Sequence, residues 1–143
     1  MIDITDWVDG AAAVLEAWYP GEQGGTAIAD VLTGKYNPGG RLPFSWVKCI
    51  GQNPMYYSIK PSGRNYSYVE NDGKPLYPFG YGLSYTTFEY SNMQMPKELE
   101  VPYRSFHMWD KDMNFVVEEG WFEVWLGKNA ENVIDSRRVY VKK

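Results

Sequence analysis

The chain has 143 residues, 44% of them hydrophobic and 22% charged, with a formal net charge of −4. This composition suits one packed domain or two small ones rather than a disordered tail, and the acidic balance argues against a nucleic-acid footprint, which needs a basic patch. The single cysteine, Cys49, excludes an intrachain disulfide. No Cys/His cluster offers a zinc site, and no apolar run approaches the ~20 residues of a membrane span.

In chain order, "MIDITDWVDG" has no basic start and no apolar core, so no signal peptide is expected within these residues. Over 9–19, "DGAAAVLEAWY", Ala11, Val14, Leu15 and Trp18 fall at helical spacing, with Asp9 or Asp6 as N-cap and "PG" as the stop. A second helix is expected over about 25–33, with Ile28, Val31 and Leu32 on one face and Gly34 just past its end. "RLPFSW" follows as a short strand, placed at an edge or strand end by Pro43. Two helices and one strand make the tail of an α/β layer, with too few strands for a sheet.

Residues 47–80 are rich in Pro, Gly, Tyr and Asn and show no sustained period; a connection this long is usually functional or docked on a neighbour. From Thr86 the pattern alternates. "TTFEYSNMQM", "RSFHMW", "WFEVWLG" and "SRRVYVK" read as strands, with "DKDMN" and "EEG" as turns. In "WFEVWLG", Phe122, Val124 and Leu126 alternate with Trp121, Glu123 and Trp125. The expected fold class is therefore mixed α+β: an α/β tail over 1–46, an aromatic segment over 47–85, and a sheet-on-sheet β unit over 86–143. An immunoglobulin-like sandwich takes about 7 strands and ~100 residues, so the β unit is a reduced one.

Acid/base or nucleophilic work by carboxylates needs a pair of them held close together, one with a raised pKa. Glu16 reads more simply as the wet face of a helix, Glu22 as a carboxylate before a helix start, and Glu70 and Asp72 as turn chemistry. No complete catalytic pair is predicted, so the catalytic set is empty. "GEQGG" before the second helix lacks the spacing and lysine of a phosphate loop and reads as a turn. His107 sits in a strand with no nucleophile in a recognisable arrangement. "NYS" at 65–67 has the form of a glycosylation site, and Cys49 is expected to be a buried or half-buried thiol.

The aromatic segment offers the sharper possibility. Twelve tyrosines and six tryptophans stand in the chain, and Tyr56, Tyr57, Tyr66, Tyr68, Tyr77, Phe79, Tyr81 and Tyr85 cluster around "GRNYSY" and "PLYPFGYG", with Arg64 beside them. These rings either stack on sugar faces, with Arg64 bonding to hydroxyls, or seal a joint between domains, each burying its body and wetting its hydroxyl. The joint is the favoured reading.

"AVLEAWYPGEQGGTAIADVLTGKYNPGGRLPFSW" followed by "PLYPFGYGLSYTTFEY" resembles the C-terminal region of glycoside hydrolase family 3, the β-glucosidase and β-xylosidase family. "FHMWDKDMNFVVEEGWFEVWLG" is similar to the last strands of that family's fibronectin type III-like domain. The resemblance implies the end of an α/β sandwich domain joined to that β domain, with "MQMPKELEVPYRSF" resembling a splice across it. It implies an aspartate nucleophile in an N-terminal barrel, which needs ~250 residues and lies outside these 143, and an acid/base glutamate that precedes the matched region. It also implies β-linked glucosides or xylosides as substrate, no cofactor and no metal, and a parent enzyme often periplasmic or secreted. Neither a nucleic-acid nor a membrane partner is implied. An uncovered β unit further implies a homo-oligomer, by strand exchange around 91–105. The alternative is a non-catalytic carbohydrate-binding or interaction module.

Overall fold

The computed structural model describes residues 3–58, 71–92, 94 and 102–142. The chain divides into two units, one comprising 1–88 with 128–131, the other 89–127 with 132–143. The first unit holds two helices, α1 (Thr5–Val8) and α2 (Gly24–Leu32). The second holds four strands, β1 (His107–Trp109), β2 (Phe115–Val117), β3 (Gly120–Asn129) and β4 (Asn132–Val141). The fold class is mixed α+β, as expected.

The second helix lies where the apolar spacing puts it. It ends in a tightened turn, with Thr33 N–H donating to Ala29 O at 2.9 Å and Gly34 N–H to Val31 O at 3.0 Å. Ile28 and Val31 are half-buried, whereas Leu32 is exposed. The first helix does not lie where expected. Residues 9–19 are not helical; the helix is the short turn before them, and 11–18 run without regular structure. The physical reason is packing. A short isolated helix is marginal in water unless its apolar face is covered, and Val14, Leu15 and Trp18 all stay exposed. The indole of Trp18 meets Phe44 edge-on, at 5.5 Å between ring centroids.

The core of the first unit is small. Ile4, just before α1, and Val8 at its end pack with Trp46, and Leu42, Phe44, Leu76 and Tyr77 close around them. Beside it Val47 is 1% exposed. A buried polar group anchors this region. A one-turn 3₁₀ helix over Ile50–Gln52 turns the Gln52 amide inward. Its Oε1 accepts from the backbone N–H of Lys48 at 2.6 Å and Cys49 at 3.3 Å. Its Nε2 donates to Asn71 Oδ1 at 2.9 Å and Lys74 O at 3.2 Å. One side chain thus joins residues 48–49 to 71–74. Cys49, expected buried or half-buried, is exposed, because Gln52 takes the inward position of that turn.

In the second unit β1 and β2 pair antiparallel with His107 opposite Val117, Met108 opposite Val116 and Trp109 opposite Phe115. The expected turn at 110–114 joins them. Asp110 Oδ1 accepts from Asp112 N–H at 2.9 Å and Asn114 N–H at 2.8 Å. Those bonds, first the ones from Asn114, hold the Asp110 carboxyl below its usual pKa. The expected strand over 104–109 is shorter, since Tyr103–Phe106 form a 3₁₀ turn before β1. The strand expected over 86–95 is absent at 86–92 and 94; residues 93 and 95 lie outside the described set, as do 96–101 of the expected splice. The second sheet is the two-stranded β3–β4 pair, joined by Ala130 and Glu131. Its alternation is as expected: Phe122, Val124 and Leu126 are half-buried, with Phe106 edge-on to Phe122 at 4.9 Å, while Trp121, Glu123 and Trp125 are exposed. Among the described residues no helix is long and apolar enough to cross a membrane.

Gln52→Leu strips the buried backbone groups of their partner. It should lower the unfolding free energy by on the order of 2–3 kcal/mol, measured as a reduced urea midpoint at unchanged slope. Gln52→Glu keeps an oxygen for the two N–H groups but sets a second carboxylate oxygen against Asn71 Oδ1 and Lys74 O, and should destabilise at least as much.

Candidate functional site

The aromatic segment is built on a broken antiparallel ladder. Leu42 N–H donates to Tyr81 O at 2.9 Å and Gly80 N–H to Leu42 O at 2.8 Å. Four residues on, Trp46 N–H donates to Tyr77 O at 2.8 Å and Leu76 N–H to Trp46 O at 2.7 Å. Between these contacts Pro43 and Pro78 carry no N–H, so the pairing cannot run through as a regular strand. The expected strand over "RLPFSW" is therefore reduced to the single bridge between Trp46 and Tyr77.

A turn then folds the rings onto one another. Tyr81 N–H donates to Pro78 O at 3.0 Å, and Gly80 at its third position has φ of 80°. That positive φ is the mark of a type II turn and suits glycine. Residues four apart on an extended strand stand ~13 Å from each other. The turn instead stacks Tyr77 on Tyr81 at 4.7 Å and 23°. Phe79 stacks on Tyr57 at 4.2 Å and 26°. At Gly82 a Cβ would come within 2.8 Å of Gly40 O, and the Arg41 guanidinium donates to Gly82 O. Farther along, the Tyr85 hydroxyl donates to Val31 O at 2.7 Å, and Asn37 holds Tyr85 N–H and the Thr86 hydroxyl. Burial, then Tyr81 and Asp9, push the Tyr77 phenol above its ordinary pKa.

Next to these stacks the first unit has an open cavity of about 240 Å³. Gln52, Met55, Tyr56, Tyr57, Lys74 and Glu131 are among the residues lining it. Two tyrosines and three prolines contribute to its wall, and Glu131 is its one carboxylate among the described residues. Lys48 and Asp72 form an ion pair at 2.7 Å. That bond, followed by the one from Lys74 N–H, lowers the Asp72 pKa. The pair belongs to the turn that the sequence places there. Among the described residues no three His, Cys, Asp or Glu side chains converge to hold a metal ion. The arrangement can present stacked rings, an ammonium and a carboxylate to a ligand. It does not assemble a nucleophile with a general acid.

Residues 1–85 match the model of the glycosyl hydrolase family 3 C-terminal domain. The chain belongs to glycoside hydrolase family 3. It is 50% identical over 95 residues to a periplasmic β-glucosidase of Salmonella typhimurium and 54% identical over 77 residues to a xylan 1,4-β-xylosidase of Xylanibacter ruminicola. These alignments take in 59% and 54% of the chain but only 12% and 9% of the two relatives. The matched part of the family 3 enzymes is their C-terminal region. A β-glucosidase from Erythrobacter marinus superposes with a TM-score of 0.76 at 29% identity, over 94% of the chain and 26% of its own. A β-glucosidase from Listeria innocua, in complex with isofagomine, has the same fold, with a TM-score of 0.81 at 24% identity, over 97% of the chain and 29% of its own.

Of the sequence-chosen site residues, Tyr77, Phe79 and Tyr81 come together in this family 3 segment, each half-buried and with one ring face taken by a stacking partner. A sugar would have only their remaining faces. Arg64, Tyr66 and Tyr68, with Glu70 and the "NYS" at 65–67, lie outside the described residues. Glu16 and Glu22 are exposed, and Glu16 Oε1 accepts from Trp18 N–H at 3.1 Å. "GEQGG" is a turn leading into α2, as expected, with Gly24 N–H donating to Gly21 O at 3.2 Å. His107 stacks on Phe115 at 4.6 Å within β1 and β2. Sequence reasoning missed Gln52, because a buried amide carries no local pattern.

Phe79→Ala removes the stack on Tyr57. The expected loss is ~1–3 kcal/mol of stability, below the 3–5 kcal/mol of a fully buried Phe→Ala change because the ring is half-exposed. Phe79→Tyr should keep most of it. Thermal unfolding followed by near-ultraviolet circular dichroism reads both.

Proposed function

We propose that this chain works within a family 3 glycosidase that cleaves terminal β-linked glucosides or xylosides, supplying structure and surface rather than the reacting groups. The family match over residues 1–85 carries this reading. The names of the relatives, a β-glucosidase and a xylan 1,4-β-xylosidase, supply the substrate class. Double displacement needs two carboxyls about 5–5.5 Å apart, and the cavity beside the aromatic stacks offers Glu131 alone among its described lining. The nucleophile and the acid/base therefore come from parts of such an enzyme outside these residues.

The exposed apolar side chains support the same role. Trp7, Val14, Leu15, Trp18 and Leu32 of the first unit face water. Such a surface is the kind that another part of an enzyme covers. In the isolated chain it drives self-association, and the homo-oligomer is our reading of its state in solution.

Incubated alone with para-nitrophenyl β-glucoside and β-xyloside, the chain should release no nitrophenol above the blank, and its sedimentation coefficient should rise with concentration. Residues 1–85 exchanged for the matching segment of the Salmonella typhimurium β-glucosidase should give a chimera that still cleaves the glucoside. Turnover by the isolated chain that disappears in Glu131→Gln, Glu16→Gln or Glu22→Gln would overturn the non-catalytic role. A folded but inactive chimera would overturn the family role.

A further inference from the structure

The outward face of β3 and β4 is not used by anything described so far. With Asn129 and Asn132 flanking the two-residue turn, the antiparallel register sets Trp121 opposite Tyr140, Glu123 opposite Arg138 and Trp125 opposite Ser136. The contacts agree. The rings of Trp121 and Tyr140 meet at 5.2 Å and 70°, and Arg138 Nε donates to Glu123 Oε1 at 2.8 Å. The indole Nε1 of Trp125 donates to Glu123 Oε2 at 3.0 Å, and the Tyr140 hydroxyl donates to Glu119 Oε1 at 2.9 Å. Trp121 is 68% exposed, Trp125 58% and Tyr140 49%. Glu119, Trp121, Glu123, Trp125, Arg138 and Tyr140 all belong to the second unit.

We infer that this face is a binding platform for a neutral β-linked polysaccharide chain, a glucan or xylan. The β-linked sugar class rests on the function proposed above; the platform itself rests on this geometry. A pyranose is amphipathic in the same way as the face. Its C–H faces are apolar and match indole, and its hydroxyls lie around the edge and match a carboxylate and a guanidinium. Along the strand the order is indole, carboxylate, indole, with phenol and guanidinium alongside. Trp121 and Trp125 stand ~13 Å apart along β3, too far for one monosaccharide to touch both but within the span of an oligosaccharide. The planes of Trp121 and Tyr140 cross at 70°, so only one can lie flat on a sugar while the other meets its edge.

The central ion pair is already oriented. Both oxygens of Glu123 are engaged, one by Arg138 and one by Trp125, so the carboxylate loses little freedom on binding. Those bonds, first that from Trp125 and then that from Arg138, also keep it ionised by lowering its pKa.

Other occupants fit less well. A polyanion meets a chain of net charge −4 and a face whose Arg138 is already paired to Glu123. A second copy would have to take the exposed Glu123–Arg138 pair out of water, a penalty its mutual attraction seldom recovers. Sugar hydroxyls replace water at such a pair with hydrogen bonds of the same kind.

The test uses the 143-residue chain in native gels cast with barley β-glucan, xylan or dextran, and fluorescence titration with cellohexaose and xylohexaose. Retardation by glucan or xylan but not dextran is expected, with a saturable change in tryptophan emission. Trp121→Ala and Trp125→Ala should each weaken binding about tenfold, the effect of losing ~1.4 kcal/mol, and Trp125→Phe should weaken it less. Trp109→Ala, at an exposed ring of the other sheet, should leave binding unchanged. Far-ultraviolet circular dichroism of each variant separates lost binding from lost folding. Equal retardation in dextran, no response to either hexasaccharide at millimolar concentration, or full binding by a folded Trp121→Ala/Trp125→Ala double variant would overturn the platform. Self-association lost in Trp125→Ala without any sugar binding would give the face to a second copy and overturn it as well. Hydrolysis by the isolated chain bears only on the proposed function and leaves the platform standing.

Discussion

Pairing of residues 42–46 with 76–81 is the constraint on which the first unit depends. It joins segments about 35 residues apart through five backbone hydrogen bonds, and its contacts bury Trp46 against Ile4 and Val8. Two prolines decide its form. A regular ladder would leave the chain extended and its rings spread along one face. The interruptions instead permit the turn at Pro78–Tyr81, which stacks Tyr77 on Tyr81 and leaves Phe79 for Tyr57. Ala130 N–H, also in the first unit, donates to Phe79 O at 2.9 Å. The hydrogen bonds and ring contacts of the aromatic segment are thus mutually dependent.

The chain carries two kinds of ring. Tyr77, Phe79 and Tyr81 are half-buried and committed to each other or to Tyr57. Trp121, Trp125 and Tyr140 are exposed and committed to little beyond the Glu123–Arg138 pair and one another. A ring whose faces are already stacked contributes dispersion and burial to stability. A ring that stays wet on a flat sheet costs hydration without returning stability, and such rings mark binding surfaces. The motif that identifies family 3 and the surface suited to sugar are therefore different parts of the chain.

Much of this was legible locally. The spacing of Ile28, Val31 and Leu32 located α2, the turn residues Asp110–Asn114 located the β1–β2 connection, and period-two alternation located β3 with its two faces. The resemblance in "PLYPFGYGLSYTTFEY" pointed to family 3, and the family match over residues 1–85 bears it out. The helix read over 9–19 failed because helical spacing is only a permission: with Val14, Leu15 and Trp18 uncovered, no burial offsets the entropy of ordering that segment. Cys49 failed for a related reason, since which of two neighbouring side chains turns inward depends on partners at 71–74 that lie far along the chain.

The sequence by itself determined element type where the signal is local, as in the period of β3, the turn at 110–114 and the prolines that forbid a continuous ladder. It also determined family, through an ordered motif that composition does not produce. Only the tertiary structure decided which ring stacks on which, that Gln52 rather than Cys49 is the inward anchor, and that Glu123 lies between Arg138 and Trp125. Those outcomes depend on contacts between residues distant in the chain, and such contacts leave no periodic trace in the sequence.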